Sequence, residues 1–216
     1  MSLEIIWKNR MKIFSVLSPT YLLAGILKET FNRTTVIKRL NSFYLAFSFI
    51  SVIGLLVFQE YYSLGVINLN ASMSFIIIFI WAYFVLSRCN EIFWAFLKDA
   101  FDKMDDLNVS NSTLSPSERI KLSLKSYLEL IINFSILYML LPKSCEVWGS
   151  RAPENIAEAL YFSGVTITTL GYGDISPRHW WPQLLSVYEV FCGFILLIVC
   201  FAIYAGRLHN SPNKAG

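Results

Sequence analysis

Apolar positions along the chain gather into long runs separated by polar connections. The first run spans Ser42 to Tyr61 and is interrupted only by hydroxyls and, at its end, by Gln59 and Glu60. The second spans Ser72 to Leu86 and stops before Arg88. The third covers Tyr127 to Leu141, and the fourth covers Leu184 to Tyr204. A helix of about 20 apolar residues crosses a hydrocarbon core of about 30 Å, and the shorter runs reach that length with their flanking turns. The pattern predicts an all-α membrane protein with four transmembrane helices. A further helical stretch precedes the last run, opening at Pro153-Glu154 and passing Glu158, Tyr161 and Phe162 to about Thr166. Proline suits a first helical turn, and early acids suit the positive end of a helix dipole. This stretch is too short to cross and reads as re-entrant.

The connections carry patterns of their own. Ser115-Pro116-Ser117-Glu118 joins a capping serine, a proline at the first helical position and a glutamate that completes a capping box. The third helix is therefore expected to start well before its apolar run, after a polar loop from Leu107 to Leu114. Residues 91–105 are amphipathic, with Phe93, Leu97, Phe101 and Met104 on one face and Lys98, Asp99, Asp102 and Asp105 off it. The plainer reading is a cytoplasmic extension of the second helix or a helix lying on the membrane. The sharper one is a lever that couples the first two spans to the last two. Ile13 to Leu27, with Pro19 inside it, reads as an interfacial helix and is too short and interrupted to cross. The expected organisation is an N-terminal segment 1–41, two peripheral helices in 42–88, an amphipathic connection 89–125, a domain over 126–207 and a short tail 208–216.

Composition agrees with a membrane setting: 55% of the 216 residues are hydrophobic, and the mean hydropathy is +0.51. Abundant aromatics (6 Trp, 11 Tyr and 17 Phe) suit a lipid interface. Lys and Arg crowd residues 1–41 and 88–125, and none lies in 62–71. By the positive-inside rule, both termini face the cytoplasm of a multi-pass cell-membrane protein, and the re-entrant segment enters from outside. A net charge of +3 does not indicate nucleic acid. No cleavable signal peptide is expected, since charges come too early and no small-residue cleavage site comes after them. Cys89, Cys145, Cys192 and Cys200 lack metal-ligand spacing. Cys145 is expected on the outer face, free or paired with a neighbouring subunit. His179 and His209 have no plausible catalytic partners, so no enzyme is expected.

The most constrained stretch is residues 166–174, Thr-Ile-Thr-Thr-Leu-Gly-Tyr-Gly-Asp. With its context from Glu158 to Pro177, it resembles the selectivity filter of the potassium channel family. Residues 126–207 resemble that family's pore domain of outer helix, pore helix, filter and inner helix. The resemblance implies a homotetramer, because one chain supplies one quarter of a filter, and K+ as the permeant ion, with no organic cofactor. It implies ion ligands at Thr169, Leu170, Gly171 and Tyr172, with Gly173 completing the strand. Gly171 and Gly173 would adopt backbone angles that side chains resist. Thr169 would add its hydroxyl. Thr168, Tyr161 and Asp174 would support the filter, with Asp174 bonding behind it and Tyr172 wedging outward. Phe194, Leu197 and Phe201 would line the cavity or simply pack, and a phenylalanine ring can gate by dewetting. Gly193 matches the family's gating hinge or marks close helix packing.

The chain departs from the family pattern where many members carry two pore-helix tryptophans. Tyr161 and Phe162 stand there, and Phe162 cannot donate to Tyr172. Fewer lateral restraints are therefore expected. Val165 stands where some bacterial members place a buried glutamate. Glu189 is the one acid inside the fourth run, one turn before Gly193, with either a scaffold or a proton-sensing role. The first two runs carry no ladder of Arg or Lys, which argues against a voltage sensor. Nine residues come after Arg207, too few for a ligand-binding domain. Lipid, tension, pH or the filter itself remain as stimuli. The alternatives are a non-selective cation channel, disfavoured by Gly171-Tyr172-Gly173, and a non-conducting membrane adaptor. Among the sequons, Asn70 is expected outside, and Asn32, Asn108, Asn111 and Asn133 are expected unused.

Overall fold

The computed structural model describes residues 18–63, 71–104 and 113–209. The 62–71 connection, the loop before Leu114, the start of the Ile13 segment, Asp105, and the sequons at Asn70, Asn108 and Asn111 lie wholly or largely outside those residues, as does the tail from residue 210. Among the described residues the chain is helical, with one isolated bridge between Trp148 and Pro177.

Helix α1 runs Pro19–Thr30, α2 Arg33–Ser63, α3 Ala71–Met104, α4 Pro116–Met139, α5 Ile156–Ile167 and α6 Trp180–Phe194. A π-helical turn, Ile195–Cys200, continues α6 directly into α7, Phe201–His209. Among the described residues, three stretches are long and apolar enough to cross a membrane: Arg33–Val57, Ser74–Asp102 and Trp180–Gly206. The protein is multi-pass.

The helix boundaries have local reasons. Pro19 lies in the first turn of α1, where its missing amide costs nothing. Helix α3 continues unbroken to Met104, so the amphipathic stretch is an extension of that helix. The cap of α5 is Asn155, whose side chain accepts from the Glu158 amide at 3.0 Å, so the helix begins at Ile156 and not at Pro153-Glu154. The capping box on α4 forms as expected, with Ser115 accepting from the Glu118 amide and Glu118 reaching back to the Ser115 amide.

Helix α4 is the hub of the fold. It has 24 residues and a length of about 36 Å, yet it is not among the three apolar stretches. Lys121, Lys125, Glu129, Asn133 and several serines dilute its hydropathy. It contacts α2, α3, α5, α6, the π-turn and α7, and most of it is buried among them, with Lys121, Leu124, Lys125 and Leu128 left exposed. Its buried polar residues find partners in the protein. Asn41 donates to Ser126 at 2.6 Å, Ser48 to Asn133 at 2.7 Å, and Arg88 to Glu129 at 2.7 and 3.1 Å. Glu129 is 0% exposed and Arg88 6%. Arg88 also pairs with Glu91 at 3.0 Å, and its guanidinium lies 4.1 Å from the Tyr44 ring centroid. Arg88 therefore belongs to a buried junction of α2, α3 and α4, and it drops out of the loop charges that set orientation. On the far side, α2 and α3 turn Ile50, Ile53, Phe75, Phe79 and Ile80 outward, as a lipid-facing surface requires.

Candidate functional site

The site grows from the end of α5. Thr168 caps that helix, donating its amide and its hydroxyl to Gly164 O, at 3.3 and 2.6 Å. Thr169 donates to Thr166 O at 2.9 Å. The Leu170 and Gly171 amides both donate to Val165 O, at 2.9 and 3.1 Å. These bonds satisfy the last carbonyls of the helix and pin the start of the extended run to it.

Beyond this anchor the backbone alternates in hand. Thr169, Gly171 and Gly173 have φ of +61°, +52° and +80°, and Leu170 and Tyr172 between them do not share the sign. Alternating hands gather successive N–H groups on one side of a chain and so turn the carbonyls to the other. Two of the three left-handed positions are glycines, where the conformation is free. The third, Thr169, is β-branched and bears a strain of about 1–3 kcal/mol, which the Thr166 and Val165 bonds around it hold in place. Reasoning from glycine alone missed this position.

The run lies on the surface of the chain, with Leu170 and Tyr172 well exposed. The Tyr172 ring stacks parallel on Tyr161, with centroids 6.3 Å apart. Tyr161 donates to Asp174 Oδ1 at 3.1 Å, Ser150 donates to Asp174 O at 2.8 Å, and Arg151 lies 3.8 Å from Asp174 Oδ2. Arg151 also pairs with Glu158 at 2.6 Å. The Glu154 amide and this guanidinium hold the Glu158 carboxyl below the usual carboxylate range. A short clasp ties the flanking loops together through Gly149 N to Ser176 O at 2.7 Å and Arg178 N to Val147 O at 2.8 Å. Phe162 points away from the run. It meets Tyr138 and Trp148 edge-on, with centroids 4.7 and 5.7 Å apart. Lateral support on this side therefore comes from an aromatic cluster and the outer loop, whose members Ser150, Arg151 and Trp148 were not singled out from sequence.

Behind α5, Glu189 is 0% exposed and joins three helices. It accepts from Tyr138 of α4 at 2.7 Å and is hydrogen-bonded to Ser163 of α5, whose hydroxyl also lies 2.9 Å from Ile131 O. One turn on, a Cβ at Gly193 would come within 2.6 Å of Ile167 Cγ1 and 3.1 Å of Ile167 O. Gly193 is thus a point of close approach to the last residue of α5. Tyr138, Ser163 and Ile167 are distant in sequence from the residues they serve, so spacing offered no signal for them. Phe194, Leu197 and Phe201 share the outward face of the last helix, with 51%, 37% and 49% exposure.

The four cysteines are free, with Cys145 exposed, and no group of metal-ligating side chains occurs among the described residues.

Comparison with known proteins now bears on this geometry. Residues 126–210 match the family model described as Ion channel. Over this segment the chain is similar to pore-loop potassium channels. The chain is 32% identical over 100 residues to two-pore potassium channel 1 of Arabidopsis thaliana, covering 43% of this chain and 27% of that one. It is 33% identical over 75 residues to potassium channel subfamily T member 1 of Homo sapiens, covering 33% of this chain and 6% of that one. It is 35% identical over 66 residues to the hyperpolarization-activated voltage-gated potassium channel of Methanocaldococcus jannaschii, covering 28% and 32%. The chain spans about a third or less of the length of these relatives. No solved structure matches it. The family of the pore segment is one of channels and not of enzymes.

Proposed function

We propose that this chain forms a potassium-selective channel in the cell membrane, with four copies around one axis and both termini in the cytoplasm. The observation that carries the reading is the alternating backbone at Thr169, Gly171 and Gly173. In a Thr-Leu-Gly-Tyr-Gly run fastened to the end of a short apolar helix, it presents consecutive carbonyls and the Thr169 hydroxyl as oxygen ligands. Such oxygens replace the hydration shell of K+. One chain holds a single such run, exposed along one side, so a closed ring of ligands needs further copies.

In this reading α4 is the outer helix, α5 the pore helix, and α6 with α7 the inner helix, within a pore domain over 126–207. Helices α2 and α3 are peripheral. Thr169, Leu170, Gly171 and Tyr172 ligate the ion. Tyr161 and Asp174 brace the filter, as does Thr168 through its bonds to Gly164. Phe194, Leu197 and Phe201 face the cavity.

The test is ion flux from purified protein in liposomes, under a K+ gradient and then a Na+ gradient. The expected reversal potential tracks K+, and Gly171→Asp abolishes the flux, since a side chain at φ +52° distorts the ligand ring. Equal response to Na+ refutes selectivity. No flux from the wild type at any pH or membrane tension refutes the channel and favours a non-conducting adaptor.

A further inference from the structure

The family match begins at residue 126 and leaves α1 to α3 without a task. Their contacts suggest one. Helix α3 lies along the inner helix and touches it at successive levels. Tyr188 donates to Asn90 at 2.6 Å, and the Phe93 ring lies 5.8 Å from that of Tyr188. Lower down, the Cys200 thiol lies 3.7 Å from Phe96 O, and Ala100, Cys200 and Tyr204 form a small buried cluster. At the lowest level Tyr204, 1% exposed, donates to Asp99 Oδ2 at 2.5 Å. The same carboxylate accepts from Arg119 of α4, also at 2.5 Å. Asp99 thus joins the peripheral, outer and inner helices at one point.

The inner helix is two-faced. Glu189, Cys192, Leu196, Cys200 and Tyr204 are sealed against the chain's own helices, and Phe191, Phe194, Ile198 and Phe201 are exposed on the other side. From Cys192 onward the sealed residues recur every four positions. An α-helix would rotate such a stripe by about 40° at each step. The π-turn Ile195–Cys200 winds more loosely and keeps Cys200 and Tyr204 facing α3. The inner helix is therefore held by its back, and its phenylalanine face is left free to approach the axis.

We propose that α3 controls the pore: Asp99 is a tether that holds the cytoplasmic end of the inner helix outward, through Tyr204, and keeps the passage wide. This rests on the pore reading above. Releasing Tyr204 lets the Phe201 end swing toward the axis, where a ring of phenylalanines closes the path by dewetting. The two peripheral helices then act as a gate-setting module, and any force that shifts α3 in the bilayer reaches the gate through Asp99.

Tyr204→Phe is the mild variant, since it removes one hydroxyl and keeps the ring. Asp99→Asn is the stronger one and also weakens the Arg119 contact. In liposomes, each is expected to lower K+ flux by about tenfold, the shift a single charge-assisted hydrogen bond commands. The reversal potential should stay that of the wild type. The double variant should lose no more than Asp99→Asn alone, because both changes cut one connection. Hydrogen exchange of the 195–206 amides should rise in both single variants. Flux at or above wild type in Tyr204→Phe, or additive losses in the double variant, overturns the tether. Exchange does not depend on conduction, so the two readings fail separately. A silent wild type refutes the channel, whereas unchanged exchange in both variants refutes the tether.

Discussion

Glu129 and Glu189 are both fully buried in helices that cross the interior of this protein, yet they are satisfied by opposite means. Glu129 sits at the junction of the peripheral helices with α4 and receives two hydrogen bonds from the Arg88 guanidinium, which also serves Glu91 and lies on the Tyr44 ring. Glu189 sits behind α5 and is hydrogen-bonded to hydroxyls, those of Tyr138 and Ser163. The first site is an ion pair sealed from water, where each charge depends on the other. The second is a hydrogen-bonding bracket, where shape and polarity suffice. A buried acid in a membrane protein thus has no single meaning: the partner decides whether its charge matters.

Replacing each acid by its amide separates the two. Glu129→Gln leaves Arg88 buried and short of its main counter-charge, and it should cost about 3–5 kcal/mol, the largest effect expected here. A large drop in the melting temperature of the detergent-solubilised protein would show it. Glu189→Gln keeps an oxygen and gains an N–H for the same hydroxyls, so its cost should stay within about 1 kcal/mol. Unchanged pH dependence of the current in that variant would leave Glu189 a scaffold, and a lost pH dependence would make it a sensor. If the two amides destabilise equally, the distinction between pair and bracket collapses.

The smallest effect belongs to the surface. Lys38 of α2 and Glu118 of α4 pair at 2.6 Å near the cytoplasmic ends of their helices in the proposed orientation. The Lys38 ammonium, and next the Ser115 capping bonds, hold the Glu118 carboxyl down at about 2, against an ordinary value of 4.5. The depressed value sets the sign: any stabilisation from this contact is present above pH 4.5 and fades as pH falls toward 2. The Glu118 carboxyl resonance should titrate in that low window, and Lys38→Ala should bring it back toward the ordinary value. Exposed pairs of this kind contribute little to stability.

The left-handed glycines and the capping box were legible in the sequence because their chemistry is local. Gly171 and Gly173 announce left-handed backbone, and Ser115 and Glu118 stand three residues apart on the turn they close. The hydropathy pattern likewise located the spans. It treats Arg88 as solvated, whereas Glu129, 41 residues away, makes its burial tolerable. It also could not distinguish α4 from a lipid-facing helix, since the partners of Ser126, Glu129 and Asn133 lie on α2 and α3. The close approach of Ile167 to Gly193 was likewise invisible in the spacing.

By itself, then, the sequence determined that this is a helical membrane protein with one pore-loop motif, and which residues of that motif tolerate unusual backbone angles. Each of those properties depends on neighbours within a few positions of the chain. Only the structure decided that Thr169 shares the left-handed conformation, held by bonds to carbonyls a few residues back. Only the tertiary structure decided that Glu189 bonds to Ser163 of α5, that Arg88 is buried and that Asp99 bonds to Tyr204 and Arg119, and these last three depend on side chains 20 to more than 100 residues apart, brought together by burial and by the demand that every buried polar group find a partner.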